Sequence, residues 1–133
     1  MKKWLLFLAV SGIAFQLKAA ETNSPAPFKI GTGEAGNYYD REMIVTGTVA
    51  QVTIHPKIVF LNLDKSYPDS PFTLVIRSDV TNQFGDLKAF KGKRVEVKGK
   101  ITNYHDRPEM VLTNTNQLQV TGSTNSPATP TVN

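Results

Sequence analysis

Apolar and polar residues alternate along most of positions 44–120, and the few places where the alternation slips are themselves informative. In residues 44–54, IVTGTVAQVTI, Val45, Gly47 and Val49 share one side, and Val52 rejoins them only after one extra residue. A slip from i+2 to i+3 is what a β-bulge produces, and it lets a long strand bend. Gly47 fits that reading, because a glycine inside a strand marks a bend or a close backbone approach. His55-Pro56-Lys57 then makes a turn. Residues 58–76, IVFLNLDKSYPDSPFTLVI, read as two strands joined by a polar, proline-containing turn, with Val59, Leu61 and Leu63 on one face and Ile58, Phe60 and Asn62 on the other.

Further along, Val80, Phe84 and Leu87 recur at i, i+4 and i+7. The spacing predicts one amphipathic helix of one to three turns, capped by Ser78 or Asp79 and kept short by Gly85. Residues 94–101, RVEVKGKI, alternate strictly, with Val95, Val97, Gly99 and Ile101 inward, as in a half-buried antiparallel strand. Residues 104–108, YHDRP, have the composition of a loop. Residues 109–120 read as the last strand, with Met110, Leu112, Leu118 and Val120 in the core and a TNTN break between them.

Three strands, a short helix and two strands leave too few crossovers for a parallel sheet, which needs one helix per connection. The order describes an all-β domain at 44–120: a five-stranded, partly open Greek-key barrel with a small inserted helix, the OB-fold.

The flanks differ in character. Residues 1–20 begin with Lys2 and Lys3, continue apolar from Trp4 to Phe15 and end in small residues, the layout of a secretory signal peptide cleaved near Ala19 or Ala20. The apolar run is shorter than the roughly 20 residues a membrane span needs. Residues 21–43 read as a linker and N-terminal arm, in which 34–41 form a short helical turn that lays Tyr38 or Tyr39 against the barrel. Residues 121–133 are low in complexity and expected to be disordered. The expected location is periplasmic or extracellular, without a transmembrane anchor in the mature chain.

Composition narrows this further. With 133 residues there is room for one domain and one core. The absence of cysteine excludes a disulfide staple, a lipidated N-terminal cysteine and a thiolate zinc site. The formal charge of +4 falls to +1 once Lys2, Lys3 and Lys18 leave with the leader. The basic run from Lys88 to Lys100, in which Glu96 follows Lys93 and Arg94, reads either as a solvated face or as a track for phosphates.

VTGTVAQV, KIVFLNLDKSYPDSPFTLVI and FKGKRVEVKGKITNYHDRPEMVLTN resemble the exported bacterial OB-fold proteins of the tRNA-anticodon/helicase-type nucleic-acid-binding class. The resemblance spans residues 34–120. It implies that the phenylalanine of IVFLNL, Phe60, is a ring on which a base stacks, with Asn62 as a base-edge contact. Where those relatives continue with arginine and aspartate, this chain has Asp64-Lys65.

An OB barrel takes ligands across its second and third strands and between the loops joining strands one to two and four to five. Those places hold His55 and the candidate nucleic-acid-binding residues Lys57, Phe60, Asn62, Tyr67, Thr73, Arg77, Tyr104, His105 and Arg107. Aromatics mixed with cations suit single strands, where bases stack and cations follow the backbone. Two readings of Phe60 stay open: a stacking platform, or a ring packed under the N-terminal arm. His105, Asp106 and Glu109 lie close in sequence, but no HExxH, paired-acid or calcium-loop pattern accompanies them, so no catalytic residue, metal or cofactor is expected. Asp64, Asp69 and Asp79 read as turn and cap residues. The chain is expected to be a monomeric, non-catalytic exported module for single-stranded nucleic acid or a similar anionic polymer. The alternative is a periplasmic stress or envelope protein of the same fold that holds a small ligand or a protein partner.

Overall fold

The computed structural model of the protein describes residues 26–123. The leader expected at 1–20 and residues 124–133 of the expected tail lie outside them, while residues 121–123, expected to be disordered with that tail, belong to the last strand, where Gly122 pairs with Arg94 and Ser123 with Lys93. Eight strands form one sheet: β1 (Lys29–Gly31), β2 (Glu42–His55), β3 (Ile58–Leu63), β4 (Phe72–Arg77), β5 (Lys93–Lys100), β6 (Thr102–Tyr104), β7 (Arg107–Leu112) and β8 (Leu118–Ser123). They are ordered β6-β7-β4-β3-β2-β5-β8, with β1 beside β2.

The long strand β2 determines the shape. Residues 42–48 pair antiparallel with β5 and residues 49–55 with β3, and the register slips between Val49 and Gln51. The slip is the expected bulge, and it turns one strand into a member of both halves of the sheet. From β3 the sheet passes to β4, which pairs parallel with β7. Strand β7 pairs with β6, and only Ile101 separates β6 from β5. The circuit therefore returns to β2 along the chain. No ladder joins β5 to β7 among the described residues, so the barrel is partly open. The fold is all-β and of the OB type: β2, β3, β4 and β5 are four of the five expected strands, while the fifth, expected over 109–120, is two strands split at the TNTN break, β7 beside β4 and β8 beside β5, and β6 is an additional short strand.

The core follows the alternation. Met43, Val45, Val49, Val59, Leu61, Leu63, Val95, Val97 and Ile101 are all buried inside the ring. Gly47 is buried where the N-terminal arm crosses β2. A Cβ there would stand 2.8 Å from the Thr32 methyl and 3.2 Å from an Asp64 carboxylate oxygen. That carboxylate accepts the Thr48 N–H at 2.8 Å and the Thr32 hydroxyl. Asp64, at φ 62°, thus does more than shape a turn: it clamps the arm onto the barrel.

Several expectations are corrected. The stretch 21–33 contains a strand: β1 pairs parallel with Ile44–Thr46, and Ile30 and Thr32 are buried. The amphipathic helix is instead two 3-10 turns, Thr81–Phe84 and Leu87–Phe90, because Gly85 between them sits at φ 67°. Phe84 and Leu87 still face inward. Neither Ser78 nor Asp79 caps these turns; Val80 precedes the first, and Asp86 caps the second by accepting the Lys88 N–H at 3.1 Å. The arm's own helical turn is a 3-10 helix at Thr32–Asn37, after which both Tyr38 and Tyr39 pack against the core. Val120 is 48% exposed, because β8 is the terminal strand of the path and lies outside the ring.

Candidate functional site

The outer face of β2, β3, β4 and β7 is set by parity. Successive side chains point to opposite faces of a strand, so core positions at Val59, Leu61 and Leu63 force Ile58, Phe60 and Asn62 outward. Pairing carries the same parity to the neighbours. One rung runs Thr53, Phe60, Val75, Val111; the next runs Gln51, Asn62, Thr73, Glu109; a third runs His55, Ile58, Arg77. These residues line a groove of about 730 Å³.

Two connections form its rims. The β6–β7 connection is not the five-residue loop expected but a two-residue turn, with His105 and Asp106 at φ 49° and 61°. Two successive residues in the left-handed region are what a tight hairpin requires, and Asn103 Oδ1 accepts the Asp106 N–H at 2.8 Å. Tyr104 and Arg107 thereby become direct cross-strand partners. The other rim is the β3–β4 loop, which carries Tyr67. Arg107 Nη1 donates to the Pro68 carbonyl at 3.0 Å, and its guanidinium carbon lies 5.1 Å from the Tyr67 ring centroid. Such stacking over a ring face is favourable for a cation. The pair bridges the two rims.

The floor is wired by amides. Asn62 is 4% exposed; its Nδ2 donates to Gln51 Oε1 at 2.8 Å, and its Oδ1 accepts the Thr73 hydroxyl at 2.8 Å. Gln51 Oε1 also accepts the Tyr67 N–H at 2.9 Å. Satisfied buried amides of this kind rigidify their surroundings. Asn62 therefore holds the floor to the Tyr67 rim, and little of it is left to face a base edge.

Phe60 is half-buried in the groove wall, with its ring edge-on to His55 at a centroid distance of 6.0 Å and 76°. It does not pack under the arm's aromatic residue: Phe28 stacks edge-on to Tyr38 at 5.4 Å, with Arg41 5.3 Å from the Tyr38 ring. Tyr67 and Tyr104 are 68% and 58% exposed, and Tyr104 meets His105 edge-on at 4.4 Å. Arg77 and Arg107 supply exposed positive charge.

Of the nine candidate residues, eight line this groove and Lys57 does not. Lys57 is exposed in the turn after β2, past the last paired residues, where strand parity no longer directs a side chain; its backbone carbonyl accepts the Ser78 N–H at 3.0 Å. The basic run on β5 is elsewhere too. Lys29 pairs with Glu96 at 2.8 Å, Lys93 lies 5.9 Å from the Phe90 ring, and no residue of β5 lines the groove.

Sequence reasoning missed Gln51 and gave Glu109 no part in the ligand surface. Gln51, Thr53 and His55 show the signal in retrospect, a polar alternation that begins at the bulge. Glu109 is the one acidic residue in the lining, two positions from Arg107 on β7. Burial pushes its carboxyl above the ordinary value of 4.5. No hydrogen bond or ion pair reaches that side chain among the described residues. No group of three or more His, Asp or Glu side chains placed to hold a metal occurs among them either.

No protein-family model matches the chain, and the search of curated proteins finds no match. Solved structures do share the fold. An OBody bound to hen egg-white lysozyme superposes with a TM-score of 0.52 at 13% identity, covering 71% of this chain and 93% of that one. A protein described as an aspartyl-tRNA synthetase from Leishmania major gives a TM-score of 0.51 at 13% identity, over 77% of this chain and 22% of the synthetase. At this identity the likeness defines the fold. The class is a β-rich OB-type fold, with its groove on the face where such barrels take ligands.

Proposed function

We propose that the protein is an exported, non-catalytic OB-fold module that holds single-stranded nucleic acid in the groove over β3 and β4. The observation that carries this is the partly exposed ring of Phe60 in a wall between two arginines, Arg77 and Arg107, with Tyr67 and Tyr104 on the rims. Bases stack on aromatic faces whatever their sequence, and guanidinium groups follow the phosphates. The tRNA-synthetase fold neighbour supports the same direction. The groove offers positioning and contact; the lining has no nucleophile held by a base and an orienting partner, which is what turnover would need.

The test is fluorescence anisotropy of a labelled single-stranded 12-mer with the mature chain across a salt series. Two phosphate contacts give a slope of log affinity against log salt of about −1.4, from roughly −0.7 per contact on a single strand. Arg77→Ala should flatten it by about half. An affinity that ignores salt, or no binding at all, overturns the proposal.

A second reading has one observation in its favour: the OBody is a barrel of this fold bound to a protein. On that reading the groove takes a protein partner or a small ligand, oligonucleotides of every sequence fail to bind, and Arg77→Ala changes only the partner's affinity.

A further inference from the structure

Glu109 is out of keeping with a groove that only attracts phosphate. It stands on the rung Thr73, Glu109, Thr102, with its side chain on the outer face and the two arginines on either side of it in the lining. Neither arginine pairs with it: Arg107 is turned to Pro68 and Tyr67. Thr73, its neighbour on β4, spends its hydroxyl proton on Asn62, and the Thr102 hydroxyl donates to the Glu109 carbonyl rather than to the carboxylate. A half-buried carboxylate thus faces the groove with all its acceptor sites open. It repels phosphate, so a strand lying here runs its backbone along the arginines and turns a base edge toward the carboxylate.

The four bases differ in what they offer a carboxylate. Guanine alone presents two adjacent donors on its Watson–Crick edge, N1–H and N2–H, which match the two oxygens of one carboxylate. Cytosine and adenine each offer an amino donor beside a ring-nitrogen acceptor, so one contact is gained and one lone pair is opposed. Thymine and uracil offer a single N3–H between two carbonyl oxygens. We infer that Glu109 is the specificity-determining residue of the groove, and that it selects guanine from a single strand whose neighbouring base stacks on Phe60. This rests on the nucleic-acid reading above and names the base that reading leaves open.

The two can fail separately. Anisotropy is read for single-stranded dT 12-mers carrying one central dG, dA, dC or deoxyinosine, at one salt concentration, against dT alone. A matched bidentate pair discriminates by about 5- to 150-fold. The dG oligomer should bind tighter than dT by that factor, and deoxyinosine, which keeps N1–H but lacks the 2-amino group, should fall between them. Glu109→Gln replaces one acceptor by a donor and removes the charge that repels phosphate; it should erase the dG preference, read as the ratio of dG to dT affinity within the variant, without weakening dT binding, and a melting temperature no lower than the wild type's is the check on folding. Equal affinity for all five oligomers, or a dG preference that survives Glu109→Gln, overturns the guanine inference and leaves the binding function standing. The deoxyinosine arm needs no variant, so the inference is tested even if Glu109→Gln folds poorly. Absence of binding by every oligomer overturns both.

Discussion

Replacing Phe60 separates the two things an aromatic ring on this face can do. The ring is outside the core and mostly covered, and among the described residues its aromatic contact is His55, itself exposed. A fully buried phenylalanine cut to alanine costs about 3–5 kcal/mol. Phe60 keeps only a minor part of its surface in water, so Phe60→Ala should cost about 2–3 kcal/mol, at or just below the low end of that range. In a domain of this size that lowers the melting temperature by about 8–24 °C. Stacking of one base contributes about 1–3 kcal/mol, so the same change should weaken oligonucleotide binding by about 5- to 150-fold. Phe60→Leu sharpens the comparison, since leucine retains apolar bulk over Val75 and Thr53 but has no π face. It should melt within a few degrees of the wild type and still lose most of the affinity. Thermal melts and anisotropy on the three proteins measure both quantities. If Phe60→Leu binds as well as the wild type, or if Phe60→Ala loses the stability of a core residue with its affinity intact, the ring is packing rather than platform.

Three other outcomes follow from the geometry. Gly47→Ala forces a methyl to within 2.8 Å of Thr32 and 3.2 Å of the Asp64 carboxylate, so the arm's clamp must shift; the urea midpoint should fall by the equivalent of about 1–3 kcal/mol, while Gly33→Ala, with nothing within 4 Å, should be neutral. Glu109 has a folded-state carboxyl raised by burial, so the folded protein holds that proton to higher pH than the unfolded chain. Wild-type stability relative to Glu109→Gln should therefore be greatest below the ordinary carboxylate range and decline as pH rises through the raised value, levelling off above it; parallel pH curves would contradict this. Lys57→Ala, at a turn outside the groove, should leave oligonucleotide affinity within about twofold, and a loss larger than tenfold would mean that the ligand surface extends past the β2–β3 turn.

Much of the barrel was readable because one buried face imposes a period of two on the chain. Val95, Val97, Gly99 and Ile101 alternate without interruption, and the extra residue between Val49 and Val52 located the bulge to within a residue. The errors have a common origin in contacts remote in sequence. Nothing local marks Lys29–Gly31 as a strand; it is held by parallel pairing with β2, by the Ile44 N–H given to the Phe28 carbonyl at 3.1 Å, and by Asp64 acting on Thr32 from more than thirty positions away. Val80, Phe84 and Leu87 have helical spacing, yet one glycine in the left-handed region is enough to split the segment while each half still delivers its apolar residue to the core. On the site, parity placed Phe60 on the open side of its strand, and the expected ligand face of an OB barrel brought in Thr73 and Arg77; parity reaches no further. It could not show that Asn62 would be consumed by Gln51 and Thr73, that Arg107 would cross to Tyr67, or that Glu109 would be left without a partner, since each depends on which strands become neighbours.

The most direct test is to map where a single strand sits. Backbone amide shifts of the isotope-labelled protein, followed by NMR as an unstructured 12-mer is added, should move most at Phe60, Thr73, Arg77, Tyr104 and Glu109. Arg94, Lys98 and Lys100 on the outer side of β5 should stay still. Shifts confined to the β5 lysines would assign binding to a charged surface and contradict a role for the groove; no shifts anywhere would contradict nucleic-acid binding itself.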